Sequence, residues 1–139
     1  MAHKYKPIPL PNGDVDFLPI LQVQISSGSV TSTPFEVIVD SGSGKCLFNG
    51  DCGRAVGIKD ITNGVHDKIG GIVPGADIDI CAHEVRLIVG ADNFRITAYF
   101  SNQLPLPGLL GRTGFFDKFF VTFDPAACAL DLRRFHGHN

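Results

Sequence analysis

The strongest constraint on this chain is a hydrophobic period of two that recurs in short runs, each cut off by glycine, proline or asparagine. In "LQVQIS", Leu21, Val23 and Ile25 alternate with Gln22, Gln24 and Ser26. "VRLIV" sets Val85, Leu87 and Val89 against Arg86 and Ile88, and "FRITAYF" sets Phe94, Ile96, Ala98 and Phe100 against Arg95, Thr97 and Tyr99. "FFVTFD" places Phe119, Val121 and Phe123 on one face. Successive side chains of an extended strand point to opposite faces, so this period buries one face of a strand, whereas a helix needs a period near 3.6. With 16 Gly and 9 Pro among 139 residues as punctuation, the expectation is an all-β sandwich or barrel. Only two short helices are expected. One covers about Asn49 to Val56. The other is "RTGFFDKF", where Thr113 would cap a turn burying Phe115, Phe116 and Phe119. Phe120 is also assigned to the core.

The length suits one domain, 1–139, large enough to bury a core, with 1–16 and 134–139 expected as irregular tails. A formal charge of −2 argues against nucleic acid as the main partner, since such binders carry a basic face. No apolar stretch approaches the ~18 residues of a membrane span. Pro7, Pro9 and Pro11 interrupt the region where a signal peptide needs unbroken apolar residues. The chain is therefore expected to be soluble and cytoplasmic, with neither nucleic acid nor membrane as partner. Cys46, Cys52, Cys81 and Cys128 form no CxxC, and the histidines complete no zinc-finger spacing. Reduced, mostly buried thiols are expected, with no metal and no cofactor; a disulfide or metal site is the alternative. His66 and His83 are assigned to surface or loop.

Three stretches carry candidate chemistry. "VIVDSGSG" ends an apolar run on Asp40 and switches at once to small residues. As a bare motif, Asp40-Ser41-Gly42 is a turn in which Asp and Ser bond nearby backbone and Gly supplies positive φ. Its position after Phe35 to Val39 instead puts a carboxylate at the inner end of a core strand, where it must be hydrogen-bonded or share a proton. "DKIGGIVPGADIDI" offers Gly70, Gly71 and Gly75 around Ile72, Val73 and Pro74, the composition of a hairpin tip. "PGLLGRTGFFDKF" places Leu109 and Leu110 before Gly111 and Arg112.

In this order the three stretches resemble the retropepsin-like aspartic proteases, the retroviral enzymes and their bacterial relatives. There a strand ends in Asp-Thr/Ser-Gly, a Gly-rich flap follows, and two apolar residues and a Gly lead into a C-terminal helix. The resemblance runs from about Leu18 to Leu132. It implies a closed β-barrel with a flap hairpin and one short C-terminal helix, assembled as a homodimer. It also implies an aspartic endopeptidase acting on a peptide or protein substrate, with Asp40 catalytic and Ser41, Gly42 and Ser43 forming the active-site loop. Two carboxylates, one per subunit, would share a proton and activate a water, because both cannot ionise side by side. Ser41 would bond the opposing loop across the dimer axis, and Ser43 would donate to the carboxylate. Gly70, Gly71, Ile72, Val73 and Gly75 would close over the substrate. Leu109, Leu110, Gly111 and Arg112 would support the loop from beneath.

The chain has one copy of the motif, so the second carboxylate must come from another copy. It also departs from the family. Gly44 and Lys45 stand where retroviral relatives often carry an acid that pairs with the Arg, which leaves Arg112 without an assigned partner. Pro74 stiffens the flap and removes a donor. "CALDLRR" is the candidate interface strand. The alternatives are a catalytically inactive binding or assembly module on the same fold, and an unrelated β-barrel whose "DSG" is a turn.

Overall fold

A computed structural model of the chain describes residues 2–135. The elements in chain order are β1 (Ala2–Lys4), β2 (Lys6–Pro9), β3 (Val15–Leu18), β4 (Ile20–Ser27), β5 (Val30–Thr31), β6 (Phe35–Val39) and β7 (Leu47–Asn49). After these come α1 (Gly50–Ala55), a single 3-10 turn at Ile61–Asn63, β8 (Val65–Val73), β9 (Ala76–Val89), β10 (Asp92–Ser101), β11 (Gly108–Leu110), β12 (Phe119–Asp124) and β13 (Ala129–Arg134). No helix among the described residues is long and apolar enough to cross a membrane.

Six strands close into a barrel in the order β4-β6-β11-β7-β10-β9, and β9 returns to β4 through the pairs Gln24↔Ile88, Ile25↔Leu87 and Ser26↔Arg86. The period of two explains the packing. Leu21, Val23 and Ile25 of β4, Val37 and Val39 of β6, Leu87 of β9 and Phe100 of β10 turn inward into one core with Leu110 and Phe115. The opposite parity builds a second, smaller apolar cluster. Ile78, Ile80, Leu47, Leu104 and Leu109 are buried there, with Ile38, Ile69, Ile72 and Val73 packed against them. Position 38 therefore faces one cluster while its neighbours at 37 and 39 face the other.

Helix α1 forms where the sequence places it. The Asn49 side chain accepts from the Asp51 N–H at 2.9 Å, satisfying one of the amides that a first turn leaves unpaired, and donates to the Leu104 carbonyl at 2.9 Å. The expected C-terminal helix is absent; 112–118 is a chain of turns. Gly114 has φ +107°, outside the helical region, and its N–H donates to the Asp117 carboxylate at 3.1 Å. Phe116 and Asp117 reach back five residues, to the Gly111 and Arg112 carbonyls. The segment still buries Phe115 and Phe119, but Phe120 lies 47 % exposed rather than in the core.

The expected irregular tail at 1–16 is also replaced by strands. β1 pairs with β13 in a three-stranded sheet of order β1-β13-β12, and β2 pairs with β3 in a separate hairpin. At the other tail, Arg134 ends β13 and residues 136–139 lie outside the described residues. "CALDLRR" forms the middle strand of its sheet with both edges already bonded, so any chain-to-chain strand pairing by this sheet falls to β1 or β12.

The Cys46 thiol is fully buried and lies 3.5 Å from the Thr113 carbonyl. Burial pushes it from its ordinary 9.0 up to about 12. The unfolded chain thus releases this proton above pH 9.0 while the folded chain keeps it to about 12. The contribution is fully present below that window and is lost as pH rises through it, on the order of 4 kcal/mol in all. Urea titrations from pH 8 upward should show wild type losing stability faster than Cys46→Ala. Equal slopes would refute the assignment.

Candidate active site

Strands β6 and β11 run parallel, with Leu109↔Ile38 and Leu110↔Val39 in register. Both chains leave the barrel at the same end, one into Asp40 and the other into Gly111. The Asp40 N–H donates to the Leu110 carbonyl at 2.9 Å, carrying the ladder one residue further. Asp40 itself is half-buried, and Ser41 and Gly42 are exposed beyond it. The Gly42 N–H donates to Asp40 Oδ1 at 2.9 Å, and the Ser43 N–H donates to the Asp40 carbonyl at 3.1 Å. The Asp40 side-chain bond to nearby backbone is the one its residue type favours, but Gly42 does not take the positive φ expected of it.

The second loop braces the first. Arg112 N–H donates to the Ser43 carbonyl at 2.8 Å and Thr113 N–H to the Gly44 carbonyl at 3.0 Å. The Arg112 guanidinium donates to the Ser41 carbonyl at 2.8 Å, which supplies the partner that the sequence left open. Gly111 sits in the crossing: a Cβ there would lie 2.2 Å from the Lys45 carbonyl oxygen and 2.6 Å from that of Ser43. Leu109 and Leu110 are buried, in the smaller cluster and the main core respectively.

Ser43 does not reach the carboxylate. Its hydroxyl donates to the Lys45 carbonyl at 2.7 Å, and the residue is buried. The reason is local geometry: the turn that puts Gly42 N–H on Asp40 Oδ1 carries residue 43 inward beneath the loop. Ser43 thereby holds the shape of the loop instead of ligating its acid.

Strands β8 and β9 form a long hairpin closed by Pro74-Gly75 between the paired residues Val73 and Ala76. Pro fixes the first turn position and Gly75 takes φ +73° at the second. The register slips between Ile69 and Val73, where Gly71 adopts φ +84°. Gly70 and Gly71 are exposed, while Ile72 and Val73 fold back on the smaller cluster beside Ile38 and Leu109. The hairpin thus packs on the face presented by the residue two positions before Asp40.

Lys45 is a member of the site that sequence reasoning noted only as a departure. Its ammonium lies 4.6 Å from the centre of the Tyr99 ring and 3.9 Å from Asp67 of β8. It links the loop after Asp40 to the root of the hairpin. Its signal in the sequence was a cation where relatives carry an acid. His66 and His83 also have defined places: each Nε2–H donates at 2.6 Å to a carbonyl of the 3-10 turn, Thr62 and Ile61 respectively. Among the described residues no three His, Cys, Asp or Glu side chains are grouped to hold a metal ion.

No protein-family model and no curated protein matches the chain. Solved structures do. A retropepsin-like aspartic protease from Rickettsia conorii superposes with a TM-score of 0.61 at 13 % identity, over 95 % of this chain and 91 % of that one. The EIAV protease bound to an inhibitor gives a TM-score of 0.49 at 17 % identity, over 68 % of this chain and 82 % of that one. The fold of this chain is retropepsin-like.

Proposed function

We propose that this chain is an aspartic endopeptidase active as a homodimer, with Asp40 of each copy supplying one of two catalytic carboxylates. The observation that carries this reading is the placement of Asp40: a half-buried carboxylate at the end of a barrel strand, in a loop braced by Arg112 and Gly111. The retropepsin-like fold supports it.

In the dimer the two carboxylates come within hydrogen-bond reach and hold one proton between them. The ionised one takes a proton from a bridging water as the water attacks the scissile carbonyl carbon. The protonated one donates to the carbonyl oxygen. Gly42 N–H on Oδ1 fixes the orientation of each carboxyl, and the exposed Ser41 bonds the loop of the second copy. The β8–β9 hairpin serves as a flap. Its exposed glycine backbone at 70–71 adds to an extended peptide as a strand would, and its closure excludes bulk water.

Hydrolysis of an apolar peptide library, followed at falling protein concentration, tests the assembly. Activity per chain should fall steeply through the same concentration range in which sedimentation shows dimer giving way to monomer. Activity per chain that stays constant in a purely monomeric sample would refute the reading.

A further inference from the structure

The root of the β8–β9 hairpin carries a second constellation that peptide hydrolysis does not use. His66 and Cys81 are paired residues across the two strands, and Cys81 Sγ lies 3.6 Å from His66 Nδ1. His66 Nε2 lies 2.6 Å from the Thr62 carbonyl oxygen. A carbonyl can only accept, so Nε2 carries the ring hydrogen and Nδ1 presents its lone pair to the thiol. A cavity of about 220 Å³ opens on this pair, with Thr62, Asp79, Asn102 and Gln103 in its polar wall. Cys81 is only 3 % exposed, so the cavity is the approach to its sulfur.

We propose that Cys81 and His66 form a thiol-modification site that takes small uncharged or cationic disulfides. The thiol's pKa is raised, first by burial and then by Asp79 and Asp60, so its thiolate is not preformed. The proton passes to His66 Nδ1 as Sγ attacks one sulfur of the disulfide. The Sγ–S bond forms as the S–S bond breaks, and His66 returns the proton to the expelled thiolate. The Cys81 sulfur is oxidised and the leaving sulfur reduced, with no further reactant. Asp79 is ion-paired with Lys68 at 2.6 Å, so repulsion of anionic disulfides falls mainly to Asp60, whose carboxylate also acts on Cys81. Among the described residues no histidine hydrogen-bonds the other three thiols: Cys46, Cys52 and Cys128 face the carbonyls of Thr113, Pro107 and Pro125.

The test treats the native 139-residue chain with cystamine, hydroxyethyl disulfide or oxidised glutathione and maps adducts by mass spectrometry. Cys81 should acquire the first adduct, with oxidised glutathione the slowest reagent. His66→Gln should slow the Cys81 adduct at least about tenfold while leaving the Cys128 rate unchanged. A first adduct on Cys52 or Cys128, an unchanged rate in His66→Gln, or oxidised glutathione as the fastest reagent would each overturn the proposal. The competition among the four thiols and the charge series both use the wild-type protein, so they decide the matter even if His66→Gln fails to fold.

Discussion

Asp40→Asn should abolish peptide hydrolysis, with a loss of at least about 10³-fold, while the barrel remains folded. Asparagine keeps the size and the acceptor that Gly42 N–H bonds at 2.9 Å, so the turn survives. It cannot take a proton from water, and the shared proton disappears with the charge. The dimer hypothesis turns this into a sharper result. If subunits exchange freely in an equimolar mixture of wild type and Asp40→Asn, only pairs with two intact acids are active, so activity should fall to about one quarter of the same total of wild type. A site complete within one chain would retain about half. Full activity in the pure variant would end the aspartic mechanism for this protein, and retention of half in the exchanged mixture would end the shared site.

Gly111→Ala should be the most damaging of the conservative changes in the two active-site loops at 40–45 and 111–113. The added methyl would stand 2.2 Å from the Lys45 carbonyl oxygen and 2.6 Å from that of Ser43, and both are backbone atoms. Neither can retreat without breaking bonds that define the site, since the Ser43 carbonyl accepts from Arg112 and the Lys45 carbonyl from Ser43 Oγ. The expected loss is about 3 kcal/mol or more, a large share of the stability of a small domain. Gly44→Ala is the matched control, because its methyl would meet only the Arg112 guanidinium at 3.4 Å, and it should stay within about 1 kcal/mol. Denaturant titration at one protein concentration separates the two. Equal midpoints for Gly111→Ala and Gly44→Ala would show that the two loops do not cross this closely.

How much of this was legible beforehand varies by residue, and the reason is physical in each case. The strands were legible because alternation is a local pattern. Val85, Leu87 and Val89 must share a face whatever the rest of the chain does. Helix α1 was legible because Asn49 caps it from within its own segment. The turn at 112–118 was misread as a helix because the aromatic spacing that buries Phe115 and Phe119 is satisfied equally by turns, and Gly114 at φ +107° decides for turns. The strands at 2–18 were missed because Lys6, Pro7 and Pro9 carry no strand signal of their own. They pair because β13 and β3 lie alongside.

An all-β architecture and a single carboxylate at the end of a core strand follow from residue type and spacing alone, since both act over a few positions. That residue 111 must carry no side chain beside the Lys45 and Ser43 carbonyls, that Arg112 holds the Ser41 carbonyl, and that His66 faces Cys81 emerge from the tertiary structure. Those choices join residues up to 71 positions apart. They depend on which strands become neighbours when the barrel closes, and no local pattern encodes that.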